Sequence, residues 1–274
     1  MSTSTTHPTL VLVPGSFSRS EQYDPIVLPL REKGYTVHAL DPPCYPKGYK
    51  KGTPSPSMYD DAKFVNQFVE KLADEGKDVV IFAHSYGGTP ATESLKGVTK
   101  KEREQQGKKG GVVRIAYLTA IVPKVGENLA QVISAAGEGN GGAPPIGVDE
   151  DGWMTHEDPS ATAKMVFNNL SPERGIVEAE GFGKHASVSF ADTLTHPGYK
   201  DVPVSWFLCE EDLCVVPQVQ QTAIDVIEES WKGTEREGRK VDVTRVKCDH
   251  VPILSARDDV EKWIEDVIVK GGKE

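Results

Sequence analysis

"VVIFAHSYGG", residues 79–88, runs an apolar stretch straight into a histidine, a serine and two glycines. The run 79–83 has the length and composition of a short, fully buried strand. Ser85 follows it, with small residues at Ala83, Gly87 and Gly88, and "GGTPATESL" (87–95) then continues as a helix. A strand-to-helix turn tight enough to present a serine needs small residues two places before it and two places after. Ser85 is therefore expected to stand exposed at the C-terminal end of a buried strand. The N–H of Tyr86, at the start of the following helix, would point to where an oxyanion develops. Helix capping by the serine is the plainer alternative.

Along the rest of the chain, "TLVLV" (9–13), "YTVHAL" (35–40), "DVVIFA" (78–83), "VVRIAYL" (112–118) and "VPVSWFL" (202–208) read as buried or half-buried strands. "VDVTRV" (241–246) alternates and reads as an edge strand. Helical segments lie between most of them. "SMYDDAKFVNQFVEKLADEG" (57–76) places Phe64, Phe68 and Leu72 on one face, with Ser57 as N-cap and Gly76 as stop. "DDVEKWIEDVIVKGG" (258–272) repeats the pattern with Val260, Trp263, Ile264, Val267 and Ile268. This alternation predicts an α/β fold: a mostly parallel central sheet with helices on both faces.

Residues 123–200 break the rhythm. They hold "AAGEGNGGAPPIG" (135–147) and short helix-like pieces such as "SATAKMVFNNL" (160–170), without clear strand alternation. A structureless connection of that length is uncommon in a compact domain. The segment is therefore expected to be an inserted lid between a first core part, 1–122, and a second, 201–274. "TKKEREQQGKKGG" (99–111) reads as a solvated surface loop.

A serine on such a turn needs a base and a group to orient it, in the chain order Ser, Asp or Glu, His. "CEEDLCVVPQVQQ" (209–221) follows the strand at 202–208 and offers Asp212, with Glu210 and Glu211 as rival acids. "KCDHVPILS" (247–255) follows the strand at 241–246 and offers His250. Strand ends of a parallel sheet open onto one edge, where ligands bind. Ser85, His250 and Asp212 are thus the expected nucleophile, base and orienter. Asp249 is too close in sequence to His250 to be its partner. The turn "VPGSF" (13–17) offers the Ser16 N–H to converge with that of Tyr86, with Phe17 as a second candidate. His84 is expected to point away from the serine, and His38 to be structural. His185 is the insertion histidine that could reach a substrate, and Trp153, Met154, Met165 and Phe167 are either lining residues or lid core.

The 274 residues carry a formal net charge of -10 and no long basic block, which argues against a nucleic-acid partner. No stretch reaches the ~20 apolar residues of a membrane span. The first ten residues lack the pattern of a secretory signal. Cys44, Cys209, Cys214 and Cys248 match no zinc spacing, and free thiols in a reducing, cytoplasmic setting are the simplest account, with a Cys44–Cys214 pairing left open.

These segments resemble the α/β-hydrolases, and among them the branch of plant methyl esterases and hydroxynitrile lyases with their fungal and bacterial relatives. The likeness is carried by "LVPGSF", "GYTVHALDPP", "VVIFAHSYGG", "FLCEEDLCVVPQVQQ" and "DHVPILS", and spans nearly the whole chain. Most relatives carry His-Gly in the first turn, where this chain has Pro14 and Gly15. The lyases of the branch carry a threonine in that turn and a lysine after the histidine. Gly15 and Val251 stand at those positions, which favours hydrolysis of a small-molecule ester or lactone, without metal or organic cofactor. Carbon–carbon bond hydrolysis, lyase chemistry and a non-catalytic small-molecule receptor are the alternatives.

Overall fold

The computed structural model describes residues 7–46, 51–135 and 144–273. Part of the glycine-rich stretch at 135–147 lies outside them, as do the first six residues. Strands β1 (Thr9–Val13), β2 (Val37–Ala39), β3 (Asp78–His84), β4 (Gly111–Leu118), β8 (Val204–Cys209) and β9 (Asp242–Val246) form one sheet in the order β2-β1-β3-β4-β8-β9. Every neighbouring pair is parallel. The expected strands are all present, and β9 is an edge.

The continuous apolar runs are explained by burial on both faces. Val11, Val13, Val79, Ile81 and Ala83 pack on one side, against Val65, Val69 and Leu72 of α2 (Met58–Asp74) and Ala223, Ile224 and Ile227 of α8 (Pro217–Ser230). Leu10, Leu12, Val80 and Phe82 alternate to the other side. There they meet Ile26, Val27 and Leu30 of α1 (Asp24–Glu32) and Val260, Trp263, Ile264, Val267 and Ile268 of α10 (Arg257–Lys270). The α10 face is the one its spacing indicates. In α2 the face is turned by one position from the expected one. Val65, Val69 and Leu72 are buried with Phe68 half-buried beside them, while Phe64 is 37% exposed. Ser57 caps α2, accepting from the Asp60 N–H, and Gly76 ends it at a φ of +81°.

Two expectations are corrected. Residues 99–111 are not a solvated loop throughout. They contain α4 (Lys100–Gln105), capped reciprocally by Thr99 and Glu102. Arg103, only 1% exposed, pins this helix by donating to the Gly110 carbonyl and to Asp74. The charged composition concealed a single charged side chain turned inward. The insertion, second, does contain strands. β5 (Ile146–Val148), β6 (Trp153–His156) and β7 (His185–Ala186) form a small antiparallel sheet, with α6 (Pro159–Val166) and α7 (Pro172–Glu180) between the last two. Strands of two to four residues are too short to show a readable alternation. α3 (Gly88–Glu93) follows the serine turn, α5 (Leu129–Ala135) opens the insertion, and α9 (Pro252–Ser255) follows His250. All four cysteines are free, so the Cys44–Cys214 pairing is absent.

Candidate active site

Parallel strands end on one edge, and the site is built from five of those ends. Ser85 directly follows β3 at a φ of +52°, in the left-handed region that costs a side chain strain, and is buried rather than exposed, with only 7% of its surface open. The turn is as tight as the sequence implies. A Cβ on Gly87 would sit 2.5 Å from the Pro14 carbonyl oxygen and 2.6 Å from that of Val13. Phe17 after β1 and Thr119 after β4 share the unusual conformation, with φ of +62° and +38°. These three are the only non-glycine residues with positive φ among those described, and all border the site.

Ser85 Oγ lies 2.9 Å from His250 Nε2, and His250 Nδ1 lies 2.7 Å from Asp212 Oδ2. A carboxylate only accepts, so Nδ1 carries a proton, and in the neutral ring Nε2 offers its lone pair to the serine hydroxyl. Asp212 is buried but well supplied with donors. The Thr119 hydroxyl donates to Oδ2, and the N–H groups of Cys214 and Val215 donate to Oδ1 at 2.7 and 2.8 Å. Burial alone would push the His250 imidazole down. Burial is the largest single influence, but the charges of Asp212 and Cys214 and the hydrogen bonds to both together outweigh it and hold the ring well above its ordinary pKa.

The rival acids are engaged elsewhere. Glu211 is exposed and accepts from Asn169 Nδ2. Glu210 is exposed as well. Asp249 faces away from the imidazole, accepting from the Asn169 and Val251 N–H groups and the Ser255 hydroxyl. It anchors the loop that carries His250. Gln220 does the same for the Asp212 loop, donating to the carbonyls of Cys209 and Val215.

The first turn comes against the serine turn. A Cβ on Gly15 would meet Ser85 Cβ and His84 Nδ1 at 3.1 Å. Among the described residues nothing accepts from the Ser16 N–H. Tyr86 is buried at the start of the turn that leads into α3. Its hydroxyl donates to the buried Asp61 at 2.8 Å. Burial raises that carboxyl to about 7. The insertion seats on this edge. Gly183 N–H donates to the Phe17 carbonyl at 2.8 Å. His185 is fully buried among Phe17, Tyr45, Tyr86 and Phe190, stacked on Tyr45. Trp153 belongs to the same apolar cluster as Tyr45 and Tyr86. Met154 and Phe167 are buried, and Met165 is partly buried against the core.

Sequence reasoning missed Thr119, Tyr23 and Asp61. Thr119 could have been found, because it directly follows a buried strand and so falls on the same edge as Ser85. Tyr23 and Asp61 sit within helical segments and carry no local signal.

A family model described as "Alpha/beta hydrolase family" matches residues 10–263. "Probable hydrolase R7" of a Phoma species is 34% identical over 247 residues, covering 90% of this chain and 92% of the relative. Among solved structures, a pyrethroid hydrolase from Sphingobium faniae superimposes with a TM-score of 0.69 at 20% identity, covering 98% of this chain and 100% of that one. Tomato methylketone synthase I does so with a TM-score of 0.72 at 17% identity, covering 97% and 99%. At those identities the two structures speak for the fold. Together with the family match along most of its length, they place the chain plainly: it belongs to the alpha/beta hydrolase family.

Proposed function

We propose that the chain is a serine hydrolase that cleaves a small-molecule carboxylic ester or lactone through an acyl-enzyme on Ser85. The observation that carries this reading is the unbroken hydrogen-bonded chain from Ser85 Oγ through His250 to Asp212. His250 takes the serine proton as Oγ attacks the carbonyl carbon. The N–H groups of Ser16 and Tyr86 hold the oxyanion. His250 then protonates the leaving alkoxide, which for a lactone stays tethered to the acyl group. A water activated by the same imidazole attacks the acyl-enzyme and releases the acid. Asp212 fixes the tautomer and balances the charge on the ring at each transfer. No step calls on a metal or organic cofactor.

Residues 123–200 act as the lid in this reading, with Phe17, Trp153 and His185 shaping the pocket wall. Val251 after the histidine supplies no cation for a leaving cyanide, which sets lyase chemistry aside. No helix among the described residues is long and apolar enough to cross a membrane, and the free thiols fit a cytoplasmic setting.

The test is turnover of p-nitrophenyl acetate and a panel of esters and lactones by the purified chain and by Ser85→Ala. The expected loss in kcat is on the order of 10⁶, with the thermal midpoint unchanged. Binding of panel members without turnover would overturn the reading in favour of a receptor. Wild-type rates in Ser85→Ala would remove the nucleophile.

A further inference from the structure

A second hydrogen-bonded chain runs beneath Ser85 and takes no part in the proton transfers above it. The Gly15 N–H donates to Tyr23 Oη at 2.8 Å. Tyr23 Oη lies 2.6 Å from His84 Nδ1, and His84 Nε2 lies 2.8 Å from the His250 carbonyl oxygen. Tyr23 and His84 are both buried. Every link has a fixed direction. The carbonyl can only accept, so Nε2 carries the proton and Nδ1 of the neutral ring accepts. The tyrosine hydroxyl must then donate to Nδ1, which leaves its lone pair for Gly15. Burial, with the nearby His250, lowers His84 to about 3, so the ring keeps this state at any working pH.

The two ends of this chain are what make it more than a core contact. One end is the residue before Ser16, whose N–H is a proposed oxyanion donor. The other is the backbone of His250 itself. The chain thus ties the ends of β1 and β3 to the loop after β9. Resting on the hydrolase reading, we propose that Tyr23 and His84 are positioning residues, which together set the oxyanion turn and the seat of His250 relative to Ser85. A displacement of about 1 Å at a reacting group can cost on the order of 10² in rate, so such a tie has a kinetic signature.

The experiment compares full-length Tyr23→Phe, His84→Leu and His84→Gln on a p-nitrophenyl ester. Working sites are counted by phosphonate titration and thermal midpoints are recorded. Tyr23→Phe should lower kcat per titrated site by about 10-fold, the scale of one lost hydrogen bond, with KM within about two-fold. His84→Leu should lower it by about 10². His84→Gln should recover about 10-fold of that loss, because its amide N–H can still donate to the His250 carbonyl. The double variant Tyr23→Phe/His84→Leu should be no worse than His84→Leu alone, since the two act as one unit. Wild-type kcat per site in Tyr23→Phe and His84→Leu, even with lowered midpoints, would overturn the proposal and leave the chain as a fold tie. A glutamine variant no better than leucine would remove the tie to His250. If His84→Leu does not fold, Tyr23→Phe decides alone, since it removes one oxygen. Turnover surviving in Ser85→Ala is a separate failure, of the hydrolase reading.

Discussion

The floor of the site and its roof are held together by different forces. The floor is made of strand ends, and its buried polar side chains are paired: Ser85 with His250, His250 with Asp212, Asp212 with Thr119, and His84 with Tyr23. The roof, from the insertion, is a packing of rings. Phe17 meets His156 edge-on at 4.4 Å, and Phe182 packs on His156 and Phe167. Buried polar atoms there are left bare. The Ser189 hydroxyl donates to the Ala186 carbonyl, so it must accept from His185 Nε2, and His185 Nδ1 remains an acceptor without a partner. Asn168 Oδ1 is another buried atom without one. Hydrogen bonds fix direction, and ring packing fixes only shape. On the proposed hydrolase reading, the chemistry belongs to the floor and the choice of substrate to the roof.

The sharpest way to break that division is to disturb the floor without touching the roof. Asp212→Asn should lower kcat by about 10⁴ with little change in KM, as the comparable serine-protease substitution does by admitting the wrong tautomer. Its pH profile should move too. His250 must be neutral to act, and its raised pKa puts the acid limb of kcat/KM above pH 6.5 in the wild type. Without the Asp212 charge, burial dominates and the limb should shift to lower pH. Glu211→Gln should be nearly silent. An equal loss in Glu211→Gln would transfer the role and undo the floor as described.

A smaller effect is expected from the roof. His185→Phe removes the bare acceptor while keeping a ring among Phe17, Tyr45, Tyr86 and Phe190. It should leave kcat on p-nitrophenyl acetate within about three-fold, while the ranking of larger esters shifts through KM, by about 10-fold for those with a hydroxyl to offer. Steady-state kinetics over the ester panel check this. A fall in kcat that is the same for all substrates would place His185 in the floor.

How much of this was legible in the sequence follows the same division. The sheet announced itself because strands buried on both faces must be apolar throughout, as 9–13 and 79–83 are. The meeting of Ser85, Asp212 and His250 was legible because a parallel sheet puts its strand ends on one edge, so position after a strand stands in for position in space. That logic says nothing of the insertion. Its strands are too short for a period to register, and what buries Trp153 and His185 is contact with distant residues such as Tyr45 and Tyr86. Tyr23 and Asp61 were hidden for a related reason. A tyrosine beside a short helix and an aspartate near a helix start look like ordinary surface residues until the fold buries them. Arg103 is the same lesson in a charged run.

Trapping the acyl-enzyme decides whether Ser85 is the nucleophile. The wild-type chain is mixed with a p-nitrophenyl ester, quenched in acid within its first turnovers, and its peptides are mapped by mass spectrometry. One added acyl group is expected on the peptide that contains Ser85, present in the wild type and absent in Ser85→Ala. Steady ester turnover with no acyl group on that peptide, or with the group on Cys214 instead, would contradict Ser85 as the nucleophile.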